Sequence, residues 1–140
     1  MPFLNSAVQL ATKPFPRAIS PNAHAMIDYA VAASFLVIAG LFWRRSKRGA
    51  VAALIAGGAG LAVNFLTDYP GGVKKVINFR THREIDLGLG AVIAALPEFL
   101  GFNGERGGKL FLAEGAMITV VSQLTRARDE ARRAERPYAA

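Results

Sequence analysis

The pentapeptide pattern His-x-x-Ile-Asp occurs twice, at residues 24–28 and 82–86, 58 residues apart. On a helix the His and the Asp of each copy lie one turn apart on one face, with the Asp about 6 Å further along the axis. Each copy opens an apolar run, and each run is followed by a short polar, basic loop and a second apolar run. That order predicts two helical hairpins in tandem. The 58-residue offset also pairs Arg17 with Lys75, Ile19 with Ile77, Gly49 with Gly107, Gly57 with Gly115, and Leu66-Thr67 with Leu124-Thr125. The expected fold is all-α. It has four transmembrane helices as two hairpins, 20–72 and 73–125, related by a pseudo-twofold axis along the membrane normal. Residues 1–19 are expected to form an interfacial arm and 126–140 a basic tail.

Lipid is the expected solvent because 52% of the 140 residues are hydrophobic and 19% charged, with the charge outside the apolar runs. The run from Ala25 to Trp43 holds one charge, Asp28, and as a helix covers about 28 Å, close to a bilayer core. Ser20-Pro21 gives it an N-cap and a first-turn proline. Ala50 to Thr67 holds no charge, and Ala52, Ala56, Gly57 and Gly60 make small-residue stripes that let a neighbouring backbone approach. The third run, Ile85 to Phe102, is expected to start from a Thr81-x-x-Glu84 capping box, to present Gly88 and Gly90 on a thin face, and to loosen at Pro97. The fourth, Leu110 to Thr125, holds Glu114 and is the weakest span; opposite charges at i, i+4 in Arg126/Glu130 and Asp129/Arg133 predict that its helix continues into water. Met26 and Met117 are read as packing residues.

With 17 Lys and Arg against 10 Asp and Glu, the net charge is +7 and the pI about 10.4. No helix joins a basic face to an aromatic platform, so nucleic acid is not an expected partner. Met1 to Leu10 lacks the positive start of a signal peptide. Eleven cations fall on the side of the two termini and the middle loop, and six on the other, which places the termini in the cytoplasm. There is no cysteine, and no Gly-x-Ser-x-Gly or phosphate-binding loop, so an enzyme is not expected.

The chain resembles the SPW-repeat family of small bacterial integral membrane proteins. The resemblance rests on His24/Asp28/Tyr29, on Thr67-Asp68-Tyr69-Pro70-Gly71-Gly72 with Lys75 and Ile77, and on His82/Asp86, and covers residues 20 to 125. The namesake Ser-Pro-Trp is altered, to Leu96-Pro97-Glu98 in the second repeat. The resemblance implies an inner-membrane protein and no particular activity.

Chemistry therefore falls to His and carboxylates. His24, Asp28, Asp68, Arg80, His82 and Asp86 are expected to cluster at the cytoplasmic helix ends. Ionisable groups at that depth need a partner or a function. Read as structure, the cluster pins helix ends together, and the protein acts without cofactor through association with lipid, with itself or with a larger membrane complex. Read as a site, His24, Asp28, His82 and Asp86 hold a divalent metal or relay protons. A bis-histidine haem is a third arrangement. Glu98 and Glu114 are the remaining carboxylates in the apolar runs, placed to line a polar route through the bundle.

Overall fold

A computed structural model describes residues 17–126. The interfacial arm up to residue 16 and the tail from residue 127 lie outside the described residues. Helix α1, Pro21–Phe42, starts where Ser20 accepts a hydrogen bond from the Ala23 N–H at 3.2 Å. After a three-residue turn, Ser46 caps α2, Lys47–Leu66, through the Gly49 N–H. Helix α3, Phe79–Leu100, starts earlier than expected. Asn78 accepts from the Thr81 N–H at 2.9 Å and takes the capping role assigned to Thr81. Glu84 turns outward to Arg80 at 3.4 Å. Pro97 is buried inside α3, which runs on to Leu100 and stops at Gly101, whose φ of 69° is the left-handed conformation that suits glycine. Helix α4 is Arg106–Leu124. It does not continue into the tail: Thr125 is extended, φ −82° and ψ 132°, and its backbone is engaged elsewhere.

That engagement is one of a pair. Ile19 makes an isolated parallel bridge with Thr125, and Ile77 makes one with Thr67. In the first, Ile19 N–H donates to Leu124 O and Arg126 N–H to Ile19 O; in the second, Ile77 N–H donates to Leu66 O and Asp68 N–H to Ile77 O. Each residue of one bridge sits 58 positions from its counterpart in the other. The segment before each hairpin is thereby clipped to the end of a hairpin.

Packing is strongest within α1/α2 and within α3/α4. Small residues allow it. A Cβ on Gly57 would lie 3.1 Å from Ala32 O, and one on Gly115 would lie 2.5 Å from Gly90 O. Ala52, Ala53 and Ala56 are buried in the same way, so these stripes are used inside the chain. Gly60 meets Ala32, while Gly88 faces open space. Between the hairpins the core is Phe35, Ile38, Ile93, Phe102 and Phe111, with Phe111 edge-on to both Phe35 and Phe102 at 5.3 Å.

The outer surface is apolar on every helix. Leu41 is 69% exposed and Phe99 83%, and Ile55, Val92, Leu112 and Val120 also face out. Met26 and Met117 belong to this surface and not to the core. Helices α1 and α2 are long and apolar enough to cross a membrane, with mean hydropathy 2.0 and 1.8. Helices α3 and α4 do not reach that standard: α3 carries Arg80, Arg83, Glu84 and Asp86 in its first turns, and α4 carries Arg106, Lys109 and Glu114.

Candidate metal centre

His24 and His82 are each the fourth residue of their helix, and Asp28 and Asp86 follow one turn later. The spacing fixes His and Asp on one face; the packing turns the two faces together. Both imidazoles are fully buried. His24 Nε2 lies 3.2 Å from Asp28 Oδ2 and 3.1 Å from Asp86 Oδ2; His82 Nε2 lies 3.0 Å and 3.2 Å from the same two oxygens. The two Nε2 atoms are 3.3 Å apart. One ligand atom from each of the four residues thus converges on a point, all within 4.8 Å of one another.

The other ring nitrogens fix the tautomer. Thr67 Oγ1 donates its single proton to Val63 O at 2.7 Å, and Thr125 Oγ1 donates to Val121 O at 2.6 Å. A hydroxyl so used can only accept from a ring nitrogen. His82 Nδ1 meets Thr67 Oγ1 at 2.7 Å, and His24 Nδ1 meets Thr125 Oγ1 at 2.7 Å. Both Nδ1 atoms therefore carry protons. In the neutral rings both Nε2 lone pairs point at each other and at two carboxylates. Four electron-rich atoms cannot be buried together uncompensated. The set needs a dication or two protons.

A tetrahedral ion with bonds of about 2.0–2.1 Å holds its ligand atoms about 3.3 Å apart. Five of the six separations are close to that edge; the sixth, between the two Asp oxygens, is wider, within 4.8 Å, so the four atoms leave the centre open between the carboxylates. The protein has, then, a His/Asp cluster that could hold a metal ion. A haem does not fit: with the Nε2 atoms 3.3 Å apart, no porphyrin plane passes between them.

On its outer side the cluster is roofed by aromatic rings. Phe79 stacks on His82 with centroids 6.0 Å apart and meets His24 edge-on at 5.4 Å. Tyr69, buried in the loop after α2, donates its hydroxyl to Asp28 Oδ2 at 3.4 Å. Burial and the nearby Asp28 carboxylate push its phenol well above the ordinary value, so it stays a donor. On the inner side lies a pocket of about 20 Å³, bordered by Asp28, Asp86, Ala56, Gly60, Asn64, Phe35 and Ile93. Asn64 is buried, and its Nδ2 has no hydrogen-bond partner among the described residues. An amide left so costs about 1–3 kcal/mol.

Two residues expected in the cluster are outside it. Asp68 is half-exposed and pairs with Lys75 at 3.5 Å, and Arg80 is exposed beside Glu84. Of the carboxylates in the apolar runs, Glu98 is exposed and accepts from Asn103 Nδ2. Glu114 Oε1 lies 2.9 Å from Ser34 Oγ, whose one proton is shared with Val31 O at 2.7 Å; its partner is thus Ser34 and not Arg106 or Lys109, and its Oε2 is buried without a hydrogen-bond partner among the described residues. The buried side chains of Phe35, Ile93 and Phe111 pack between the hairpins. Thr67, Tyr69, Asn64 and Thr125 were not singled out from the sequence as site residues. The matching Leu-Thr pairs at the 58-residue offset were the available signal for the two threonines. A scan of family models, a search of curated proteins and a search of solved structures each find no match.

Proposed function

We propose that this chain is a four-span integral membrane protein holding a resident divalent transition-metal ion, of the zinc class, at His24, Asp28, His82 and Asp86. The observation that carries this is the pair of threonine hydroxyls. Each donates to its own helix and so commits one Nδ1–H, leaving both Nε2 lone pairs on the side of the two Asp oxygens. Fixing the tautomer through the distal nitrogen is how proteins orient metal-bound imidazoles. Two imidazoles with two carboxylates suit zinc better than magnesium or calcium, which prefer all-oxygen shells.

The membrane assignment is supported by polarity running the wrong way for water. His24, His82, Asp86, Asn64, Thr67 and Thr125 are inside beside the apolar core, while Leu, Ile, Val and Phe side chains are also exposed across the four helices, among them Leu41, Ile55, Phe99 and Leu112. The hydrogen bonds repeated at a 58-residue offset support two equivalent hairpins with the site between them, near the side of the termini. The SPW-repeat resemblance agrees with a small bacterial inner-membrane protein of this kind. The aromatic roof and the side chains packed between the hairpins favour an ion that stays over one that passes through. In this reading the ion joins the hairpins, no reaction is catalysed, and the outer apolar faces meet lipid, a second copy or a larger membrane complex.

The test is metal content after purification in detergent and incubation with zinc. One ion per chain is expected in the wild type, and none in His24→Ala/His82→Ala or in the near-isosteric Asp28→Asn/Asp86→Asn. A metal-free wild type, or equal metal in the variants, overturns the site. Release of the chain from membranes without detergent overturns the membrane assignment.

A further inference from the structure

The cavity beneath the cluster is bordered by both carboxylates and by neither imidazole. It lies on the face of the centre that the two Asp side chains leave between them, one helical turn deeper than the histidines. Its volume of about 20 Å³ exceeds the roughly 10–15 Å³ that one water needs. It also offers the two to four polar partners that hold a buried water: the Asp28 and Asp86 carboxylates as acceptors and the unpartnered, 3%-exposed Asn64 Nδ2 as donor. Every other lining side chain is apolar.

We infer that a water seated in this cavity completes the shell of the ion, giving a five-coordinate centre of two imidazoles, two carboxylates and one water, with Asn64 as the residue that holds the water. This rests on the metal-binding reading. One lone pair of the water goes to the ion and the other accepts from Asn64 Nδ2, while its two protons go to the carboxylates. All four of its hydrogen-bonding positions are then used, and so is the Asn64 amide. The 58-residue counterpart of Asn64 is Ser122, whose hydroxyl donates instead to Arg83 O at 3.0 Å. The water is therefore held from one side only.

X-ray absorption of the zinc-loaded protein counts the ligands, and the visible band of the cobalt(II)-loaded protein reports the same geometry. In the wild type five nitrogen or oxygen neighbours and a weak cobalt band are expected. Asn64→Leu fills the cavity and removes the donor: the count falls to four and the cobalt band rises several-fold. Asn64→Ser keeps a donor and should look like the wild type. Four neighbours in the wild type, or five in Asn64→Leu, overturn the inference while leaving the metal site standing. Absence of bound zinc and cobalt in the wild type overturns the metal-binding reading instead. Should Asn64→Leu not fold, the wild-type ligand count decides alone.

Discussion

Positions 58 apart in the two hairpins carry the same side chain at Ile19 and Ile77, His24 and His82, Asp28 and Asp86, and Thr67 and Thr125. Deeper in the bundle they diverge: Ala32 corresponds to Gly90, Ser34 to Val92, Leu36 to Ala94, Ala56 to Glu114 and Asn64 to Ser122. The identities fall where hydrogen bonds must meet across the axis, and a bond between complementary atoms admits few substitutes. At Ala32/Gly90 and Leu36/Ala94 the requirement is volume, which many combinations satisfy, whereas Ser34/Val92, Ala56/Glu114 and Asn64/Ser122 give the two halves different polar groups. Hairpin α1/α2 sets Gly57 against Ala32 and Leu36; hairpin α3/α4 sets Gly115 against Gly90 and Ala94.

This difference makes the larger of the expected stability effects unequal. A methyl group at Gly57 meets the end of Leu36 at 3.0 Å, which can turn away, and Ala32 O at 3.1 Å, which need give only a few tenths of an ångström. At Gly115 it meets Gly90 O and Ala94 N, and backbone cannot turn away without parting the helices. Gly115→Ala should cost about 3 kcal/mol and Gly57→Ala about 1 kcal/mol, within the range for overpacking. Unfolding of both variants in the same detergent checks this; equal losses would show that the hairpins pack with equal tolerance.

The threonines should behave in the opposite way, alike in both halves. Thr67→Val and Thr125→Val each free one Nδ1–H and release the ring orientation, so each should weaken metal binding about 10–100-fold. Serine at either position keeps the acceptor and should restore most of the affinity. Acidification should weaken binding in the wild type, because each Nε2 must be free of its proton to bind the ion; the affinity should approach a dependence on about two protons per ion. Competition titrations across a pH series measure both effects. A tenfold difference between Thr67→Val and Thr125→Val would break the equivalence of the two halves.

How much of this the sequence shows depends on range. The four helices, the Ser20 cap and the His/Asp pairing within each helix follow from neighbours within four residues. The start of α3 was misplaced because Asn78 and Thr81 are both good caps, and only the fold selects Asn78. The end of α4 was misplaced because the charge pairs after Thr125 favour helix, whereas Ile19, more than a hundred residues earlier, takes the backbone of that turn into a bridge. That the histidines face each other, and that Asn64 lies beneath them, are contacts between hairpins. No local pattern carries them. Asp68 and Arg80 were grouped with the cluster by height along the helices alone, and they pair instead with Lys75 and Glu84.

The smallest effect concerns the polar pair that one hairpin gives the other. Ser34 Oγ lies 2.7 Å from Val31 O and 2.9 Å from Glu114 Oε1 and has one proton to share between them, yet the corresponding positions Val92 and Ala56 carry nothing polar. Ser34→Ala removes the hydroxyl beside a carboxyl group whose second oxygen has no hydrogen-bond partner among the described residues, and should cost about 1 kcal/mol. Replacing both partners, Ser34→Val with Glu114→Ala, makes this region match its counterpart and leaves no polar atom stranded. The double variant should therefore be no less stable than Ser34→Ala alone, since removing both members of a buried pair is cheaper than removing one. Unfolding of the two single variants and the double variant in one detergent decides it. If the losses simply add, Ser34 and Glu114 do not depend on each other, and the asymmetry between the hairpins at this depth reflects separate contacts.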